Sequence, residues 1–269
     1  MSQAYLRYYG FKREPFIADI PRDELLKTPM IKEVQNRIEY VIRLGSIGLI
    51  TGDVGCGKST ALRQTAGELH PSKYKVLWIT GSAGPIMEFY RKVMAALGLE
   101  LRSMSKAIVL GAIKKEIREL VLEKRQQPVI FIDEANLLRL DVFAELHTLT
   151  QFEADSKPWL PLIMAGQEML IDKFLYQSTR SMASRVVAKL SLEAISQEEL
   201  RAYIQHHLEI AGIKKFLFSD QAVTAIHRES RGLYRKSNHL SRGALIAAAF
   251  AKTDMATEEH VRLAATELM

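Results

Sequence analysis

The chemistry of this chain is most legible at Gly52-Asp53-Val54-Gly55-Cys56-Gly57-Lys58-Ser59, a complete Gly-x-x-x-x-Gly-Lys-Ser loop continued by Thr60. Glycines let successive backbone N–H groups turn inward around phosphate oxygens, and a helix starting at the end of such a loop adds the positive end of its dipole. Lys58 has the reach for β- and γ-phosphates, and the Ser59 hydroxyl is a hard oxygen ligand for Mg²⁺. The flanks separate this loop from a chance glycine-rich turn: apolar Ile47 to Thr51 reads as a strand, and Thr60 to Leu69 reads as a helix. Residues Gly52 to Thr60 are therefore expected to cradle a nucleoside triphosphate.

A second chemical signal follows at Val129-Ile130-Phe131-Ile132-Asp133-Glu134. Four apolar residues read as a buried strand, and two carboxylates emerge at its carboxyl end, where ligands bind in open α/β sheets. Asp133 suits a Mg²⁺ ligand, direct or through water, and Glu134 suits the polarisation of an attacking water. A surface turn or a helix cap is the competing reading of the pair.

The elements that must hold these groups alternate. Met30 to Leu44 has apolar residues at helical spacing, Lys75 to Thr80 reads as a strand, and Met87 to Leu97 as a helix. Val109, Ile113, Ile117, Leu120 and Val121 form one helical stripe, and Leu160 to Ala165 is a further strand. Continuous apolar strands alternating with helices predict a parallel sheet covered on both faces. After about Leu190 only helical patterns remain: Ser196 to Ala211, Ser219 to Arg231, Leu233 to Lys252 and Thr257 to Met269, with Ser219 and Thr257 as expected N-caps. The expected organisation is an N-terminal segment and helix over 1–45 packing on the core, an α/β nucleotide-binding core over 46–190, and a helical domain over 191–269.

Composition sets wider limits. The 269 residues carry a net charge of +6 and a 48% hydrophobic content, the profile of an ordinary soluble protein, mildly favourable to a polyanionic partner. The single cysteine, Cys56, excludes an internal disulfide and fits a reducing cytoplasm, and it reads as a small filler inside the phosphate loop. The apolar stretches are too short to span a bilayer and the N-terminus has no cleavable signal pattern, so no membrane anchor is expected.

The chain resembles the AAA+ ATPases, most closely the ExeA-type group. The likeness is carried by Tyr9-Gly10-Phe11 with Pro15-Phe16, by Ala165-Gly166-Gln167 with Leu170, and by Arg185 before Leu190 and Leu192. It continues through Ser196-Gln197-Glu198-Glu199-Leu200-Arg201-Ala202-Tyr203-Ile204, His207-Leu208, Ala211-Gly212 and the Gly232 to Leu240 block. Tyr234 departs from the group, many members of which have Pro there. The resemblance implies an AAA+ P-loop core followed by an all-helical lid, and adenine as the base. It implies that Gln167 is sensor 1, touching the γ-phosphate or the attacking water, and that Arg235 is sensor 2, with Arg231 as competitor. It implies that Arg185 is the arginine finger inserted into a neighbouring subunit's site, with Arg180 as competitor. A homo-oligomer, ring or helical filament, follows from that role.

Compact ExeA-like ATPases resemble the transposition regulators of the TnsC, TniB and MuB type. These assemble on double-stranded DNA in the ATP-bound state and deliver a transposase or recombinase to its target, in some cases with a target-selection factor. On that resemblance the DNA contacts fall near Ser82 to Met87 and at Arg102, Ser103, Ser105 and Lys106, mostly to phosphates and therefore salt-sensitive. Arg228, Arg231, Arg235, Lys236 and Arg242 form a second basic candidate, equally suited to nucleotide sensing and lid packing. The alternative is an ExeA-like ATPase of a type II secretion or envelope-assembly pathway. Such proteins join the ATPase to a transmembrane segment and a wall-binding region, and on the sequence reading this chain ends after the lid. A replication loader is the third reading, without a helicase- or clamp-binding signal.

Overall fold

The computed structural model describes residues 2–100 and 103–267. In chain order the elements are α1 (Ser2–Tyr9), α2 (Pro29–Leu44), β1 (Ile47–Gly52), α3 (Lys58–Glu68), β2 (Tyr74–Thr80), α4 (Ile86–Leu97), α5 (Lys106–Leu122) and β3 (Gln127–Asp133). They continue as α6 (Leu140–Thr150), β4 (Leu162–Gly166), α7 (Met169–Asp172), α8 (Arg180–Ala183), β5 (Val186–Leu192), α9 (Gln197–Ile210), α10 (Asp220–Ser230), α11 (Tyr234–Phe250) and α12 (Glu258–Thr266). They fall into two compact units. Thr28–Asp53 and Lys58–Leu192 make a sheet unit, while the segment up to Lys27, the loop tip Val54–Gly57 and the chain from Glu193 onward make a helical unit.

In the sheet unit five parallel strands run in the order β2-β3-β4-β1-β5. The residues of β1 and β4 are buried throughout, as expected for central strands covered on both faces. Phe131 and Phe143 are fully buried in the core around this sheet and contribute roughly 2–3 kcal/mol each by removal from water. The spacing of α2 is read as expected: the Thr28 hydroxyl caps the helix by accepting from Ile31 N at 3.3 Å, and Val34, Ile38, Val41 and Ile42 form its buried stripe.

Besides the short helices α1 and α7, two elements depart from the sequence reading. β5 lies where a Leu-rich connector is expected. Its Ala188 and Leu192 face inward while Val187, Lys189 and Ser191 are exposed, the period-2 alternation of an edge strand. α6 stands where no element is expected; Val142, Phe143, Leu146 and Leu149 have helical spacing, but Arg139 at the N-cap position supplies no capping signal.

The helical unit encloses its own core of Leu200, Ile204, Leu208, Val223, Ile226, Leu240, Leu245 and Val261. Tyr5 and Phe16 complete it from the N-terminal segment. Within residues 1–45, the aromatic segment up to Lys27 groups by contact with the helices and α2 groups with the sheet. The reason is aromatic burial. Phe16 stacks on His207 with ring centroids 5.2 Å apart, and its N–H donates to His207 Nδ1 at 3.2 Å. Ser196 and Glu199 form a reciprocal capping box at the start of α9, and Ser219 caps α10 by accepting from Ala222 N at 3.1 Å.

Candidate nucleotide site

A parallel sheet brings every strand's carboxyl end to one edge, and the strand order decides which ends are neighbours. β4 lies between β1 and β3. The loop after β1, the Gly166-Gln167 step after β4 and the Asp133-Glu134 pair after β3 are therefore adjacent, spread over about 10 Å at the usual inter-strand spacing. Gln167 sits between the phosphate loop and the carboxylates because the topology puts it there.

Lys58 opens α3 and is buried to 6% exposure. Its Nζ donates to the carbonyls of Gly52 at 2.9 Å and Asp53 at 2.8 Å, so the ammonium lies folded back on the start of its own loop. Ser59 and Thr60 follow in the first turn of α3, half-buried, at the helix end whose N–H groups lack intrahelical partners. At the tip of the loop Gly55 has φ +87°, a conformation that favours glycine, and its carbonyl accepts from Arg235 N at 3.3 Å. A Cβ on Gly55 would lie 2.9 Å from the Arg235 Cβ, so glycine is also required by close approach. Arg235, in the first turn of α11, is thus attached to the loop tip. Tyr234 beside it is pushed up to about pKa 12, chiefly by burial. Cys56 is buried.

Asp133 Oδ1 accepts from the Glu134 N–H at 3.0 Å, and the Asp133 carbonyl accepts from Gly81 N at 2.7 Å. Glu134 has φ +54°, left-handed for a residue with a β-carbon, at a cost of about 1–2 kcal/mol. Strain of this kind persists where surrounding contacts over-determine it, commonly at functional sites. The donor set fits the expected ligands. Hydroxyl and carboxylate oxygens from Ser59 and Asp133, completed by phosphate oxygens and water, are what Mg²⁺ takes.

Two residues not singled out from the sequence belong to this edge. Asn136 is 4% exposed, and its Oδ1 accepts from Gln167 N at 3.2 Å. It ties the strand carrying Glu134 to the strand carrying Gln167. Glycine at 166 makes room for it, since a Cβ there would stand 2.5 Å from Asn136 Oδ1. Glu168 accepts from Thr51 Oγ1 at 3.0 Å and from Ser191 Oγ at 2.6 Å, joining the ends of β1, β4 and β5. The Ser191 bond, then the Thr51 bond and the charges of Lys189 and Lys58, hold its carboxyl below the usual range against an opposing effect of burial. A polar residue beside each motif is the only sequence signal for either.

The remaining expected residues are placed as follows. Arg185 precedes β5, with Nη1 donating to Thr150 Oγ1 at 3.3 Å and Nη2 paired with Asp155. Arg180 opens α8 and is exposed. Ser105 is exposed at the N-cap position of α5, and Lys106 pairs with Glu145 at 2.6 Å. Arg102 lies outside the described residues. No described helix is long and apolar enough to cross a membrane.

Residues 42–175 match the model of the AAA domain family. Among solved structures the chain resembles Cdc6p from Pyrobaculum aerophilum, with TM-score 0.74 and 15% identity over 94% of this chain and 70% of that one. This is the AAA+ P-loop NTPase fold. The helices from α9 to α12 correspond to the lid that accompanies it. Further AAA+ likenesses are the Aeropyrum pernix ORC1 protein in complex with DNA (TM-score 0.65, 18% identity, 93% and 68% covered) and the Thermotoga maritima RuvB Holliday junction branch migration motor (TM-score 0.58, 20% identity, 94% and 73% covered). A curated relative, General secretion pathway protein A of Aeromonas hydrophila, is 28% identical over 98% of this chain. The chain spans 48% of that relative's length.

Proposed function

We propose that this protein is an Mg²⁺-dependent, DNA-stimulated ATPase that assembles on double-stranded DNA as a ring or helical filament and recruits or activates a transposase. The nucleotide half rests on one observation: Lys58 and Ser59, Gln167, and Asp133 with Glu134 occupy three adjacent strand ends of an AAA+ sheet. In this reading Lys58 leaves its two carbonyl partners for the phosphates, and Ser59 and Asp133 hold the metal, which neutralises phosphate charge when bound. Glu134 accepts the proton of the attacking water, Gln167 orients that water, and Arg235 senses the phosphates from its position at the loop tip. Arg185 of one subunit, with Arg180 as competitor, completes the neighbour's site.

The DNA half is supported by fold neighbours that include an ORC1 protein bound to DNA and a branch migration motor. Ser105 and Lys106, with Arg102, remain the proposed contacts. The transposase, an accompanying target-selection factor and a cytoplasmic location rest on the resemblance to transposition regulators. A role in a secretion or envelope pathway is the second reading, favoured by the relative from Aeromonas hydrophila.

The deciding experiment is the ATP hydrolysis rate with and without duplex DNA at low and moderate salt. Strong, salt-sensitive stimulation with higher-order assembly is the expected result. Hydrolysis indifferent to DNA, with no DNA binding in the presence of a non-hydrolysable analogue, would transfer the protein to the secretion reading.

A further inference from the structure

Away from the nucleotide edge, the sheet unit has a hollow of about 430 Å³ bordered by Lys114, Lys115 and Arg118 of α5 and by Phe152, Glu153 and Trp159 of the loop joining α6 to β4. Its cations are unevenly paired. Lys115 has Glu119 one turn along its own helix. Lys114 Nζ donates to the Gln151 carbonyl at 3.0 Å and lies 5.6 Å from the Phe152 ring centroid, and no ion pair to a carboxylate joins it among the described residues. Burial lowers its pKa from the usual lysine value. Arg118 lies 6.0 Å from the Trp159 ring centroid and pairs with Glu153 at the rim.

The rim itself is strained. Glu153, Ala154 and Asp155 are consecutive, none is glycine, and their φ values are +49°, +52° and +69°. A β-carbon disfavours this region at each position, so three in a row persist only where contacts hold them. The outer two are held by arginines: Glu153 by Arg118, and Asp155 by Arg185. One strained turn therefore grips both a cation of the hollow and the proposed finger. The two grips differ in exposure. Arg118 and Glu153 have side chains 56% and 37% exposed, which makes theirs a weak, exchangeable pair; Arg185 is 22% and Asp155 48% exposed, and Arg185 is held a second time by Thr150.

We propose that the hollow receives a backbone phosphate of double-stranded DNA, which replaces Glu153 on Arg118 and so lets the turn relax and release Arg185 from Asp155. A phosphate offers the guanidinium the same fork geometry as a carboxylate and also satisfies Lys114. Phe152 and Trp159 provide an apolar wall for the adjoining sugar. The proposal rests on the DNA-stimulated ATPase reading and adds to it a physical route from DNA to the finger.

The test is ATP hydrolysis by the full chain, with plain duplex DNA or with inorganic phosphate as the added anion. Asp155→Asn should raise the DNA-free rate about tenfold or more, a fraction of what a finger supplies, and shrink the stimulation by DNA. Ala154→Gly relieves the strain without opening the turn, so it should lower the DNA-free rate and require more DNA for half-maximal stimulation. Lys114→Gln should weaken DNA binding and reduce the salt slope of the affinity by about one. Thermal unfolding of each variant checks that it is folded, and Glu153→Gln, expected to act like Asp155→Asn, serves if that variant is not. If Arg185→Ala abolishes hydrolysis while Asp155→Asn and Glu153→Gln leave the DNA-free rate unchanged, the latch is wrong and the ATPase reading stands. If the parent protein is not stimulated by DNA and Arg185→Ala is inert, the reading itself falls, and the latch with it. Stimulation by inorganic phosphate equal to that by duplex would overturn DNA as the occupant.

Discussion

The two units of this protein bury polar groups to different ends. In the sheet unit Lys58, Thr51 and Asn136 are buried together at the carboxyl edge of the strands, where chemistry is expected. In the helical unit His207, Ser230 and His260 are buried too, but each bonds to backbone nearby: His207 to Phe16 N, Ser230 to Gly232 N at 3.2 Å, and His260 to Thr257 N at 3.0 Å. The first set stands at the strand ends proposed to receive a nucleotide; the second set joins segments of one core. Burial of a polar side chain alone does not mark a site. Lys58 and Asn136 bond to backbone as well, so what separates the two sets is where the topology brings them.

Replacing a member of each set should separate these roles. The largest effect is expected at Lys58→Ala, which should abolish nucleotide binding in a fluorescent-nucleotide titration; undiminished affinity would remove the phosphate-loop assignment. Glu134→Gln should bind ATP normally and hydrolyse it about 10²–10⁴-fold more slowly, giving longer-lived assemblies on DNA. Arginine substitution sharpens the contrast between exposed Arg180 and tethered Arg185. Whichever of Arg185→Ala and Arg180→Ala removes the finger should lose about 10³-fold or more in the oligomer with little change in monomer affinity for ATP.

A smaller effect is expected at Asn136→Ala. It leaves the Gln167 N–H without its acceptor, so single-turnover hydrolysis should slow while nucleotide affinity holds; equal loss of both would make Asn136 merely structural. The helical unit should show a change in stability instead of activity. Burial, with smaller contributions from His206 and Arg13, lowers the His207 pKa from 6.5 to about 3, so the folded unit resists a proton that the unfolded chain takes up. Its contribution is complete above pH 6.5 and is lost as pH falls from there toward about 3, at about 1.4 kcal/mol per pH unit. His207→Gln, whose Oε1 keeps an acceptor, should flatten the acid limb of a melting-temperature profile, and an unchanged limb would place that sensitivity elsewhere.

Sequence alone carries a signal wherever the information is local. The phosphate loop needs its own glycines, lysine and hydroxyl in a row, and the Asp133-Glu134 pair needs only the apolar strand before it. The β–α alternation followed by helices was equally legible, because strand and helix periods differ. β5 was obscured because its short alternation was read as a Leu-rich connector, and α6 because it starts without a cap. Tertiary structure decided the rest. It placed Gln167 between the other two motifs through strand order, joined Asn136 to Gln167 across 31 positions, and moved the aromatic N-terminal segment into the helical unit. It also set Asp155 on Arg185, 30 positions apart, through a turn whose strain no local pattern announces. Such pairings depend on which chain segments pack side by side, and that follows from burying the whole core at once, not from the preferences of any short stretch.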